Sequence, residues 1–154
     1  MFLENKVTSE YFFPLLADDL FCDLKPKSFA SLAKIKQTKQ FEKGARLFSR
    51  GDAARAIYIL QKGKAQLLLN EEFKNLRIAR VIQPHEIFGL TETIANLPYE
   101  TDAETITRCA CEFIEREDFI GFLQNEAALR LRLVRLLGTN LHKSRQLFFS
   151  SIKL

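Results

Sequence analysis

The stretch FEKGARLFSRGDAARAIYILQKGKA, residues 41–65, decides how the chain is read, because its apolar residues come in short runs divided by turn signals. Lys43-Gly44, Arg50-Gly51-Asp52 and Lys62-Gly63 break it at intervals expected of successive antiparallel hairpins. The runs between them, 45–49 and 56–60, therefore read as strands. Outward from this centre the same texture continues. Residues 37–42, 64–69, 76–82, 101–106 and 108–114 are short and rich in Ile, Leu, Val, Phe or Thr, with a further turn at Asn70-Glu71-Glu72. The body is predicted to be all-β, a sandwich or barrel.

Helices flank that body. On the N-terminal side Tyr11, Phe12, Leu15, Leu16 and Leu20 recur at helical spacing, and Pro26 opens a second short helix through Phe29, Leu32 and Ile35. On the C-terminal side Arg116-Glu117-Asp118 introduces Phe119, Ile120, Phe122 and Leu123, and after Asn125-Glu126 one long helix follows. It carries two apolar stripes: Leu129, Leu133 and Leu136 on one side, and Val134, Leu137, Leu141 and Phe148 at near-heptad spacing, with Ser144 between, on another. A surface helix of a single domain needs one stripe. The second suggests the same helix of a second copy, and hence a homodimer; the alternative is that both stripes wrap around the domain's own core. Gly138 costs this helix up to about 1 kcal/mol relative to Ala unless it permits close helix approach.

With 154 residues and 47% hydrophobic content, the chain has material for one domain with a core. Residues 1–126 hold the helical lead-in and the β body, and residues 127–154 the long helix of the same domain. No window approaches the ~20 apolar residues of a membrane span, and the N-terminus lacks a signal-peptide pattern, so a cytoplasmic protein is expected. Cys22, Cys109 and Cys111 read as free thiols. The net charge of +4 is unevenly placed: from Ala127 onward stand Arg130, Arg132, Arg135, Lys143, Arg145 and Lys153 with no acid, and what precedes them is net −2. The tail's positive side chains read first as a solvated face; any nucleic-acid contact would fall there.

The order of elements, with the wording of the turns, resembles the cyclic-nucleotide-binding domain of the Crp/Fnr superfamily of bacterial regulators over almost the whole chain. The resemblance rests on Phe41-Glu42-Lys43-Gly44, Leu47-Phe48, Arg50-Gly51-Asp52, the run from Ile57 to Ala65, Ile87-Phe88-Gly89, and the run from Phe113 to Phe119. It implies an eight-stranded jelly roll (a double-stranded β-helix) with a phosphate-binding cassette, and a dimerising helix usually followed by a helix-turn-helix. The chain stops at Ser150-Ser151-Ile152-Lys153-Leu154, about where that last unit would begin, so no recognition helix is expected within it.

In cyclic-nucleotide binders of this family, a short helix after a Phe-Gly-Glu-like segment faces the cyclic phosphate, a Glu takes the ribose hydroxyl and a downstream Arg pairs with the phosphate. The matching positions here are Phe88-Gly89-Leu90-Thr91-Glu92 and, further on, Tyr99-Glu100-Thr101-Asp102-Ala103. Leu90 stands in the place of the ribose Glu. Aligning on Ala103 puts Thr101 in the Arg position and Asp102 in the Ser/Thr position, and His85 replaces the Gly that normally follows Pro. No Lys or Arg lies between Arg80 and Arg108, whereas Glu86, Glu92, Glu100, Asp102 and Glu104 do. Each lost charge-assisted hydrogen bond is worth roughly 1.5 to 3 kcal/mol, and carboxylates add repulsion. Cyclic AMP is therefore disfavoured.

Three readings of the cassette stay open. It takes another effector, neutral or cationic, for which Thr91, Tyr99, Thr101 and Asp102 offer hydrogen bonds; it is an empty structural relic; or it holds a phosphate through an Arg from elsewhere, such as Arg108 or one on the long helix. Other chemistries have less behind them. A cupin-type metal centre needs several His with a carboxylate, and the chain has His85 and His142 alone. Haem or iron-sulfur sensing and nucleophilic catalysis have no supporting pattern. The sequence thus predicts a non-enzymatic, homodimeric sensory domain of the Crp/Fnr type with no metal and no assigned cofactor. Its small-molecule effector is unnamed, and its DNA contact would be made only through a helix-turn-helix outside the chain. The rival is a ligand-free dimerisation scaffold that acts through a protein partner.

Overall fold

A computed structural model describes residues 13–71 and 76–151, with the side chains of 70–79, 147, 148 and 151 left aside. In chain order the elements are β1 (Leu15–Leu16), α1 (Ala17–Phe21), α2 (Pro26–Ile35), β2 (Gln37–Phe41), β3 (Arg46–Phe48), β4 (Ala56–Lys62), β5 (Ala65–Glu71), β6 (Leu76–Ile82) and β7 (Glu86–Phe88). There follow α3 (Leu90–Ala95), β8 (Asp102–Thr105), β9 (Cys109–Glu115), α4 (Arg116–Gln124) and α5 (Ala127–Ser151). Two antiparallel sheets, ordered β1-β7-β4-β9-β2 and β3-β8-β5-β6, make the all-β body that the turns predict, in the jelly-roll form that the resemblance implies.

The central strands of the five-stranded sheet are covered on both faces, and their period-2 alternation shows how. Ile57 and Ile59 of β4, with Ile114 of β9, point outward into a cluster with Leu20, Leu32, Phe119, Phe122, Leu123, Leu129 and Leu133 of the helices. Leu60, Cys109 and Cys111 point inward, to Phe48, Leu67, Ile82, Phe88, Tyr99 and Ala103 inside the roll. Cys109 and Cys111 are thus buried free thiols on one strand face; burial raises the Cys111 thiol to about 12.

One expectation about the lead-in changes. Leu15 and Leu16, predicted on a helix, form β1 and pair with Ile87 and Glu86 of β7. Helical spacing lost to the edge of β7, whose backbone groups otherwise lack partners on that side. Tyr11 and Phe12 lie outside the described residues. The helix opened by Pro26 forms as predicted, with Leu32 buried and Phe29 exposed.

The long helix resolves its stripes unequally. Leu129 and Leu133 are buried in the outer cluster, with Leu136 packed against it. Leu137, assigned from sequence to the second stripe, also packs on that cluster, while Val134 and Leu141 are 65% and 54% exposed. Ser144 donates to the Asn140 carbonyl, and the Phe148 side chain lies outside the described residues. The basic residues are not simply a solvated face. Arg130 donates to the carbonyls of Leu123 and Gln124 and so caps α4, and Arg132 donates to those of Leu20 and Cys22 beyond α1. Guanidinium groups at helix C-termini satisfy orphan carbonyls and oppose the helix dipole.

His85, between β6 and β7, adopts φ 74°, a left-handed conformation unusual for a side chain larger than Asn. Its backbone is tied on both sides, the N–H to the Leu60 carbonyl and the carbonyl to the Ala17 N–H, so the conformation is imposed. His85→Gly is expected to raise stability by up to about 1 kcal/mol, relief of the backbone offsetting the added entropy of the unfolded chain. Chemical denaturation checks this, and a loss of stability would assign the side chain a contact of its own.

Candidate functional site

The cassette begins where β7 ends. Gly89 occupies the N-cap of α3 at φ 73°, and a Cβ there would come within 3.0 Å of the Tyr99 ring, so glycine is required twice over. The short helix that starts at Leu90 is held from three sides. Thr93 Oγ1 has one proton to give and lies 2.6 Å from the Gly89 carbonyl and 3.0 Å from the Ala56 carbonyl, the Tyr99 hydroxyl donates to the Ala56 carbonyl, and Arg116 Nε donates to the Thr93 carbonyl at 2.9 Å. Tyr99 is further fixed by stacking on Phe48 with ring centroids 3.7 Å apart.

Beside this helix lies a cavity of about 100 Å³. Six of the candidate residues line it: Phe88, Gly89, Leu90, Thr91, Glu92 and Thr101. Three do not. Tyr99 is spent on Phe48 and Ala56. Asp102 is buried against β3, where it pairs with Arg46 at 3.1 Å and accepts the Arg50 N–H at 2.8 Å. Ala103 is enclosed within the roll. At the two positions where charged anchors would stand, Leu90 and Thr101 are each 3% exposed.

The acidic stretch is largely compensated by arginines from other strands. Arg46 of β3 pairs with Asp102 and Glu104, and Arg80 of β6 pairs with the buried Glu86 at 2.9 Å. Arg108, one of the arginines considered for a ligand, is instead exposed, near Glu42 and donating to Gln40. Among the described residues the cation that reaches the cavity is Arg80, which sequence reasoning passed over. Its place as the boundary of the acidic stretch was visible, but its inward direction depended on the register of β6 against β5, where Leu67 faces Arg80.

Two further acids, Glu92 and Glu100, line the cavity. Burial raises the Glu92 carboxyl above its ordinary 4.5, and the Glu100 charge adds to this, while hydrogen bonds from the backbone N–H groups of Glu92 and Glu100 oppose it. The folded chain thus binds this proton more tightly than the unfolded chain does. Stability from this group is complete below 4.5 and falls as pH rises through the raised value. Glu92→Gln should therefore be more stable than the parent at pH 7, with the difference vanishing below pH 4.5. Urea unfolding across that range measures it; a parent as stable as the variant at neutral pH would mean that the carboxylate is well solvated.

Among the described residues no group of His, Cys, Asp and Glu is placed to hold a metal, and no helix is long and apolar enough to cross a membrane.

Known proteins resemble the chain as follows. A family model described as cyclic nucleotide-binding domain matches residues 38–126, more than half of the chain. A CRP-like cAMP-activated global transcriptional regulator of Mycobacterium tuberculosis is 22% identical over 125 residues, 81% of this chain and 56% of the relative. The chain spans little over half the length of that relative. In three dimensions it superposes on the Thermus thermophilus catabolite activator protein with a TM-score of 0.75, at 20% identity over 83% of this chain and 60% of that one. The sensor domain of the transcriptional regulator DNR from Pseudomonas aeruginosa gives 0.69, at 23% identity over 80% and 88%. At such identities the structural likeness carries the fold.

Proposed function

The chain belongs to the cyclic nucleotide-binding domain family, in a Crp/Fnr-type form, and on that premise we propose that it is the sensory and dimerisation half of a transcriptional regulator whose cassette does not take cyclic AMP in the usual way. The observation that carries this reading is the pair of buried, uncharged residues Leu90 and Thr101 at the anchor positions, beside a cavity walled by Glu92 and Glu100. A cyclic phosphate entering there meets the carboxylates of Glu92 and Glu100, and the guanidinium that lines the same cavity, Arg80, is already paired with Glu86. The cavity is also well below the ~300–1,000 Å³ that encloses a drug-sized ligand.

The role is binding and switching, not catalysis, and it is exercised in the cytoplasm. DNA contact in this scheme falls to a helix-turn-helix not included in the 154 residues, and the dimer forms through Val134 and Leu141 on the outer face of α5. An effector that bears on α3 pulls on Arg116 through the Thr93 carbonyl, hence on α4, whose C-terminus Arg130 of α5 caps. Such a path transmits a signal only if the effector binds two states of the domain unequally.

Thermal unfolding with and without cyclic AMP or cyclic GMP tests the reading. A ligand at ~100 times its dissociation constant adds about 2.7 kcal/mol. No shift is expected at millimolar nucleotide, and a saturable shift with either would overturn the proposal.

A further inference from the structure

A larger concavity lies outside the cassette. Where β4 starts and β9 ends, a groove of about 640 Å³ has Tyr58 and Phe113 on its walls, and a hollow of about 370 Å³ beside it has Phe48, Tyr58 and Tyr99. Ala53, Arg55, Ala56 and Tyr58 line both, which makes them two arms of one site. Each arm falls within the ~300–1,000 Å³ usual for small-molecule sites, whereas the cassette cavity, at about 100 Å³, does not. Tyr58 is the residue around which the site is built. Its ring stacks on Phe88 with centroids 5.4 Å apart and is tilted against Phe113 at 6.2 Å, while its hydroxyl has no hydrogen-bond partner among the described residues. Burial foremost, and then the neighbouring Tyr99 and Cys111, push this hydroxyl up to about 12, so at neutral pH it keeps its proton as a donor. Arg55 is exposed beside it, also without a side-chain partner among the described residues.

We infer that the effector of this domain binds in this groove and is a neutral, planar aromatic molecule with a carbonyl-type acceptor, its ring against Tyr58 and Phe113 and its acceptor on the Tyr58 hydroxyl. This rests on the sensory reading given above and names both the place and the class of the ligand. The walls favour a flat ring, since aromatic side chains pack on one another in offset or edge-on contact and a guanidinium such as that of Arg55 lies flat on a ring. The rim favours a neutral one. Arg55 and Arg116 stand against Asp52, Glu115 and Glu117 around the two arms, so a net charge of either sign meets its like. The groove is also tied to the cassette helix. Ala56, in its wall, holds Tyr99 and Thr93 through its carbonyl, and Arg116, in its wall too, donates Nε to the Thr93 carbonyl and its backbone N–H to the Arg55 carbonyl. An occupant that holds Arg55, Ala56 and Arg116 in place therefore holds α3.

Equilibrium dialysis and saturation-transfer NMR of the full chain with coumarin, quinoxaline and 4-quinolone test this, with 1-methylquinolinium and coumarin-3-carboxylate as flat analogues that carry a charge. At least one neutral compound should saturate one site per chain, and both charged ones should bind more weakly. Ala53→Phe, an exposed position shared by the two arms, should abolish binding. Tyr58→Phe keeps the ring and should weaken binding about three- to tenfold, as expected for loss of one hydrogen bond. It also serves alone if Ala53→Phe does not fold. Glu92→Gln, at the cassette cavity, should leave binding unchanged. Amide exchange at Thr93 and Leu97, whose N–H groups bond to the Gly89 and Glu92 carbonyls, should slow when the groove is filled. The inference is overturned if none of the three neutral compounds binds, if a charged analogue binds as tightly, if the folded groove variants bind like the parent, if Glu92→Gln abolishes binding, or if exchange in α3 is unchanged at saturation. Cyclic AMP and cyclic GMP are dialysed in parallel. Failure of the aromatics with no nucleotide binding removes the groove assignment alone, whereas nucleotide binding removes the broader reading as well.

Discussion

Gly63→Ala is expected to destabilise the chain by about 3–5 kcal/mol, the sum of a backbone forced into a region that L-residues avoid and an overpacked contact. Gly63 turns the chain from β4 to β5 at φ 92°, and a Cβ there would lie 2.9 Å from both the Cys109 sulfur and Thr107 Oγ1, and closer still to the Arg108 carbonyl oxygen. That carbonyl is backbone of the β8–β9 turn, which cannot yield without shifting β9, the strand that joins β4 to β2. Against a total stability of ~5–15 kcal/mol for a domain, this is a large share. Gly121 in α4 is the control. A Cβ added there would meet nothing within 4 Å, and its φ is not positive, so Gly121→Ala should gain up to about 1 kcal/mol. Equal midpoints for the two variants in urea would refute the packing described around Gly63.

The parent is expected to sediment as a dimer, and Val134→Glu combined with Leu141→Glu to give a folded monomer. Both side chains are more than half exposed on the chain alone, and they stand two helical turns apart on the same side of α5. Apolar residues at that spacing make a seam when two such helices meet, and four carboxylates placed across it repel. Leu137, which sequence spacing puts in the same stripe, is left unchanged because it packs on the outer core, and a charge there would test folding instead. An unchanged sedimentation coefficient for the folded double variant would place the dimer contact elsewhere or remove it.

Much of this architecture was legible because it is written in short-range chemistry. Turns at Lys43-Gly44, Arg50-Gly51 and Lys62-Gly63 set the hairpins, and Pro26 set the start of α2. What was missed depends on partners distant in sequence. Leu15 and Leu16 are a strand only because β7 lies beside them. β7 itself is three residues long, too short for periodicity to mark. Arg130 and Arg132 read as surface charge until the ends of α4 and α1 are seen next to them.

The candidate site was legible as a frame and not as a lining. The run from Phe88 to Glu92 and Thr101 do meet at one cavity, as their order suggested, but Tyr99 and Asp102 are committed to Phe48, Ala56 and Arg46. Side chains that spacing made available were already engaged across the roll. Arg80 came the other way, from β6 into the cavity, with Glu86 as its partner. The absence of basic residues between Arg80 and Arg108 is therefore not an absence of positive charge around the cassette; Arg46 and Arg80 supply it from β3 and β6.

The central claim is that the cassette keeps its backbone frame while Leu90 and Thr101 replace the groups that would hold a cyclic nucleotide. Equilibrium dialysis of labelled cyclic AMP against the full chain measures this directly, without passing through stability. The account predicts equal label on both sides of the membrane at every protein concentration; saturable retention approaching one nucleotide per chain would contradict it.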